Sequence, residues 1–219
     1  MLFKNREEAG LKLAQVLAPL LEGINPIVLA LPRGGVPVGY KVAESLNLKF
    51  SILPVRKLGV PINPELAFGA IDPDGDIYLN PTVVEKFGLT EEDIEAVRQK
   101  EYKELLRRIE VYLGGKFPPL EGREVLIVDD GFATGYTALA ACGFAKKRNP
   151  YKVILSAPVA PPDTVEFLKL NCADDVVCVA TPEPFFAVGM FYEDFHQLTD
   201  EEVLKYKYLA MEKGLWEPV

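Results

Sequence analysis

Residues 125 to 137 read VLIVDDGFATGYT. Val125 to Val128 is a short, unbroken apolar run, as expected of a strand buried on both faces. Asp129 and Asp130 emerge at its carboxyl end, and Gly131 to Thr137 form a turn that feeds a helical pattern over Thr137 to Lys147. In open α/β sheets this edge is where ligands bind. Gly135 lets backbone approach a ligand closely, and the amides and hydroxyls of Thr134 to Thr137 sit at a helix amino terminus, which attracts phosphate. Two carboxylates beside such an anion cup suit a molecule with hydroxyls at one end and phosphate at the other. Ribose 5-phosphate has that layout.

Moving outward, the runs Ile27 to Leu31, Phe50 to Val55, Val153 to Ala157 and Val176 to Ala180 read as further buried strands. Helical patterns occupy residues 5 to 22, Val36 to Leu48 and Asp163 to Leu170. The alternation predicts an α/β fold of three layers: a mostly parallel central sheet flanked by helices, with a small hood or inserted subregion. Ala67 to Ile71 and Asp76 to Leu79 read as short strands around a Pro-Asp-Gly turn, and Thr90 to Tyr112 as a charged helix capped through Thr90 and Asp93. Residues 1–219 are expected to form one domain, with 72–120 as an insertion and 181–219 as a carboxyl-terminal hood or extension.

Composition narrows the function. A net charge of -8, without a basic stretch, argues against a nucleic-acid partner. No run of about 20 apolar residues is present to span a bilayer, and the amino terminus is amphipathic, so the expected location is cytoplasmic with no membrane partner. Cys142, Cys172 and Cys178 are widely spaced with only His196 as a possible companion; they are read as buried, inert thiols, not a disulfide framework or a metal site. Neither a Walker loop nor a dinucleotide fingerprint occurs.

Two further segments fit phosphate chemistry. Leu31-Pro32-Arg33-Gly34-Gly35 follows the first strand, so glycine amides and Arg33 are placed to hold a diphosphate. Arg56 and Lys57 end the second strand and precede Leu58 to Pro64, whose glycine and prolines are expected to resist regular structure and form a mobile lid. Phe185, Phe186, Phe191, Tyr192 and Phe195 form an aromatic patch that serves either as packing or as a cover for a planar acceptor, and the sequence leaves the role of His196 open, a structural histidine being the plain alternative.

Four apolar residues, two acids, a short variable stretch and Thr-Gly-x-Thr together resemble the signature of type I phosphoribosyltransferases. The resemblance spans roughly residues 27 to 157 and includes the Pro-Arg-Gly-Gly loop and the Arg-Lys pair. It implies that the chain binds 5-phosphoribosyl-1-pyrophosphate and Mg2+, the ion being held largely by substrate oxygens and water without a dedicated protein site. It also implies transfer of ribose 5-phosphate to a nitrogenous base or other small amine, as a homodimer. On that resemblance Arg33, Lys57, Asp129 and Asp130 carry the chemistry. Gly34, Gly35 and Arg56 assist at the diphosphate, and Ala133, Thr134, Gly135, Tyr136 and Thr137 hold the 5-phosphate.

Two residues depart from better-known members. Ala133 stands where hypoxanthine and guanine enzymes carry an aspartate, although adenine and uracil enzymes also have Ala-Thr-Gly; Tyr136 is bulkier than the usual small residue. The acceptor is therefore unidentified. The alternative function is a phosphoribosyl pyrophosphate sensor without catalysis; hydrolysis of a phosphorylated sugar nucleotide at the same site is a third reading. Arg33, Lys57 and the paired aspartates favour the enzyme.

Overall fold

The computed structural model describes residues 2–218. In chain order, α1 (Arg6–Leu20) leads to β1 (Ile27–Ala30), α2 (Gly35–Leu46) and β2 (Phe50–Ile52). β3 (Arg56–Val60), β4 (Asn63–Ile71), β5 (Ile77–Leu79), α3 (Pro81–Lys86) and α4 (Glu91–Leu113) follow. The chain then runs through β6 (Glu124–Val128), α5 (Tyr136–Lys146), β7 (Lys152–Val159), α6 (Pro162–Asn171), β8 (Asp175–Ala180) and α7 (Asp200–Glu212).

The main sheet is five-stranded and parallel, ordered β2-β1-β6-β7-β8. Strand order reverses beside β1: the chain first steps outward to β2, then returns on the other side as β6. Val28 pairs with Leu126 and Ala30 with Val128, so the loops after β1 and β6 leave the sheet side by side. Alternate residues face opposite layers, as a pleated strand demands. Val28, Ala30, Leu126 and Val128 pack towards a core that includes residues of α1, α2, α4 and α7. Ile27, Leu29, Val125 and Ile127 pack towards α5 and α6. All eight of these side chains are buried, and each of the seven larger than Ala30 contributes about 1.5–3 kcal/mol through removal from water. The expected three-layer architecture is the one found.

A second, antiparallel sheet, β3-β4-β5, lies within the stretch between β2 and β6. Its β4–β5 turn holds Gly75 at φ +84°, matching the expected Pro-Asp-Gly turn. The expectation of an irregular stretch over Leu58 to Pro64 is overturned. Leu58 to Val60 belong to β3 and Asn63 to Pro64 to β4, with Pro61 and Ile62 forming the hairpin loop. The prolines fit because one sits in that loop and the other beside a register shift at Gly59, where any Cβ would press on Pro64 Cα at 2.9 Å. The second strand also proves shorter than Phe50 to Val55.

The cysteine expectation fails in part: Cys142 of α5 and Cys172, just after α6, form a disulfide. Sequence spacing could not show that α5 and α6 pack together and bring residues 30 apart into contact. Cys178 remains free, with its thiol pushed up to about 12 by burial, as an inert thiol requires.

Capping fixes the long charged helix. Thr90 and Asp93 exchange backbone bonds in a capping box before α4, and Gly114 at φ +60° ends it. Thr199 and Glu202 do the same for α7, an element that the sequence reading leaves out although the signal is present.

Asp72, Asp74 and Asp76 of the β4–β5 turn lie close enough together to hold an ion, but Lys147 Nζ stands 2.6–2.8 Å from all three. Arg148 forks onto Asp74 at 2.8 and 2.9 Å. This knot fastens the antiparallel sheet to the end of α5. Arg148, then Lys147, hold the Asp74 carboxyl at about 2, so its contribution is present above the unfolded value of about 3.9 and is lost as pH falls towards 2. Arg148→Ala is accordingly expected to lower the urea midpoint at pH 7, with the deficit shrinking as pH is taken from about 4 down to 2. Parallel urea titrations of both proteins across that range provide the check.

Candidate active site

The site forms where β1 and β6 end. Leu31 N donates to Val128 O at 2.9 Å, extending the parallel pairing by one bond beyond the strands. Beyond it, the loop 32–34 and the acidic pair press together. A Cβ on Gly34 would collide with the Asp130 carboxylate, and one on Gly35 would lie 2.8 Å from Val128 O and 2.9 Å from Asp129 Cα. Only glycines allow this approach. Gly34 and Gly35 are thus brought against Asp129 and Asp130.

Asp130 is buried, and Asp129 is half-buried. Asp129 Oδ1 accepts from Asp130 N at 2.8 Å. Burial raises both carboxyls above their usual range; the charge of Asp130 adds to the effect on Asp129, while Arg6 opposes the effect on Asp130. Arg6, in the first turn of α1, donates from Nε to Asp130 Oδ2 at 3.1 Å and from Nη1 to His196 O at 2.8 Å. Its guanidinium lies 4.1 Å from the Phe195 ring centroid. Tyr192 Oη donates to Asp130 O at 2.6 Å. Two carboxylates thus share one close cation, an excess of negative charge that suits ribose hydroxyls and a hard divalent ion.

The anion cup follows. Gly135 adopts φ +91° as N-cap of α5, and Thr164 Oγ1 donates to Ala133 O at 2.6 Å, fixing the turn. Ala133 and Thr134 are exposed, and Thr137 is half-buried. Tyr136 turns its ring inward to Phe167 at 5.2 Å between centroids, so its bulk lies in the core and its amide remains at the helix start.

The cations lie around the inserted segment. Arg33 forms an ion pair with Asp200 at 3.3 Å and donates to Tyr112 Oη at 3.4 Å and Leu198 O at 3.3 Å. Arg56 pairs with Glu101 of α4 at 2.8 Å. Lys57 is exposed, its Nζ donating to Glu65 O on the same hairpin at 3.1 Å. Arg56 and Lys57 also border a cavity of about 650 Å3 between the β3–β4 hairpin and α4.

Within the aromatic patch, Tyr192 packs on Phe3 and Phe195, and Phe185 on Phe191, whereas Phe186 is 82% exposed. The exposed His196 imidazole is held above its usual range by Glu202 and Asp194, each 2.9 Å away. The sequence reading misses Arg6, Tyr112 and Asp200; none of them carries a local signal beyond its place on a helix.

A model of the phosphoribosyl transferase domain matches residues 7–190. The chain belongs to that family. A Mycobacterium tuberculosis H37Rv protein, provisionally named a phosphoribosyl transferase, is 50% identical over 206 residues, covering 94% of this chain and 46% of that protein. The chain therefore spans about half the length of this relative and of its counterpart in strain CDC 1551. The crystal structure of the protein TT1426 from Thermus thermophilus matches with a TM-score of 0.75 at 38% identity, over 94% of this chain and 97% of that one. A Neisseria gonorrhoeae protein crystallised with ppGpp shares the fold, with a TM-score of 0.50 at 10% identity over 95% and 96% of the two chains. No helix among the described residues is long and apolar enough to cross a membrane.

Arg6 is the close partner of a buried carboxylate in this phosphoribosyl transferase domain, with side-chain exposures of 9% for Arg6 and 13% for Asp130. Arg6→Met is expected to cost about 3–5 kcal/mol at pH 7 by stranding that charge. Without Arg6 the Asp130 carboxyl rises further, so the deficit is small below about pH 4 and grows as pH rises. Denaturant unfolding at pH 4 and pH 7 measures both values.

Proposed function

We propose that the chain is a Mg2+-dependent phosphoribosyltransferase, binding 5-phosphoribosyl-1-pyrophosphate and passing ribose 5-phosphate to a nitrogenous base or other small amine. One observation carries the reading: the pair Asp129 and Asp130 stands between a glycine loop and the helix-start cup of Gly135, at the switch point of a parallel sheet. That spacing suits a ligand with phosphate at one end, hydroxyls in the middle and diphosphate beyond.

In this reaction the acceptor nitrogen bonds to ribose C1 as the C1–O bond to diphosphate breaks, and the electron pair leaves with pyrophosphate. Positive charge develops on the ring, so the protein's work is chiefly positioning and electrostatic. Ala133, Thr134, Gly135, Tyr136 and Thr137 hold the 5-phosphate through amides and hydroxyls. Asp129 and Asp130 orient the ribose hydroxyls, with Asp130 itself fixed by Arg6. The amide of Gly34, with Arg33, Arg56 and Lys57, receives the diphosphate; Gly35 contributes only the close approach, because its own amide donates to Leu31 O at 2.9 Å. The excess carboxylate charge fits Mg2+, which would neutralise the diphosphate when bound. Because Arg33 is paired with Asp200, a diphosphate competes with a carboxylate for that cation.

Calorimetric titration with 5-phosphoribosyl-1-pyrophosphate, with and without Mg2+, tests this directly. Micromolar, Mg2+-dependent binding, about 8 kcal/mol, is expected. The double variant Asp129→Asn, Asp130→Asn should lose it while still unfolding cooperatively. Unchanged affinity in that variant would remove the assignment, and pyrophosphate release with one base among a screened set separates transfer from sensing.

A further inference from the structure

We propose that Arg108, on the inserted helix α4, is a diphosphate ligand of the site described above, forming a trio of guanidinium groups with Arg33 and Arg56. This rests on the function proposed in the preceding subsection. The Arg108 side chain is only 9% exposed. Among the described residues its one hydrogen bond is from Nε to Glu104 Oε1 at 3.0 Å, so both Nη groups lack a protein partner. Glu104 is itself shared, since Arg107 bonds both of its oxygens at 2.8 and 2.9 Å.

Helix geometry places the trio. Glu101, Arg108 and Tyr112 fall within about 40° of one another around α4, at about 100° per residue. Arg56 docks on Glu101 and Arg33 on Tyr112, so both are fixed to the stripe that carries Arg108, one to each side of it. Burial, and after it the positive charges of Arg56 and Arg33, disfavour the charged form of Arg108, while Glu104 opposes them. Four guanidiniums here, Arg33, Arg56, Arg107 and Arg108, share three carboxylates, Glu101, Glu104 and Asp200. A chain with a net charge of -8 has thus gathered local positive charge around one largely buried guanidinium whose unpartnered Nη groups keep a narrow opening to solvent. Burying a cation is costly unless it is fully paired. A diphosphate, with several anionic oxygens, supplies the missing acceptors, and planar guanidiniums suit them. Arg33 adjoins Gly34, which packs on Asp130, so the trio lies on the diphosphate side of the acidic pair.

The test uses pyrophosphate with Mg2+ and, separately, ribose 5-phosphate as calorimetric probes. Arg108→Gln is expected to weaken pyrophosphate binding by about tenfold to a hundredfold, the worth of a charge-assisted hydrogen bond or two. Ribose 5-phosphate affinity should stay within about twofold of wild type, a split that a merely structural role does not produce. Should Arg108→Gln fail to unfold cooperatively, Arg108→Lys decides the matter; it keeps the charge and stem but not the fork, and is expected to bind pyrophosphate several-fold more weakly. Wild-type pyrophosphate affinity in a folded variant overturns the role of Arg108. Wild-type protein that binds ribose 5-phosphate but not pyrophosphate overturns it as well, leaving the phosphate cup intact. Binding of neither probe to wild type removes the proposed function along with it.

Discussion

The pairing of β1 with β6 is the constraint on which everything else hangs. These strands are adjacent in space but nearly 100 residues apart in the chain, and their register sets the two loops that follow at the same height on the sheet. A shift by one residue would turn Val28, Ala30, Leu126 and Val128 towards the wrong layer, so the two cores resist any slip. The same register that fills the cores therefore brings Gly34 against Asp130 and Gly35 against Asp129. Packing energy distributed over many apolar side chains holds a close approach that polar groups alone would not maintain.

Once that approach is fixed, charge must be managed. Burial raises the cost of ionisation for both carboxyls, and the charge of Asp130 adds to it at Asp129. Arg6 offsets it, and the residues that secure Arg6 come from the far end of the chain: the His196 carbonyl and the Phe195 ring. Tyr192 completes the enclosure by bonding the Asp130 carbonyl. The carboxyl-terminal aromatic segment thus supports the back of the acidic pair, whatever else its exposed member Phe186 meets.

What the sequence disclosed and what it withheld divide along physical lines. The strands of the main sheet and the Asp129 to Thr137 segment were legible because a continuous apolar run ending in acids and a glycine turn has few structural meanings. The part of the hairpin over 56–66 was not, because Pro61 and Pro64 oppose regular structure locally and only the bulge at Gly59 and pairing with β5 override that tendency. The Cys142–Cys172 bond depended on helix packing that spacing does not encode. Arg6 and Asp200 are ordinary helix-start residues in sequence; their importance comes from partners 124 and 167 positions away.

The helices α4 and α7, both outside the signature, meet around Asp200, and Lys207 of α7 also donates to Tyr112 O at 2.8 Å. Asp200 accepts a 2.5 Å bond from Tyr112 Oη and pairs with Arg33 and Arg107. Arg33 belongs to the loop beside the acidic pair, so both helices are tied mechanically to the centre of the fold. The charge of Arg33 therefore reaches both Tyr112 and Arg108, four residues apart on α4.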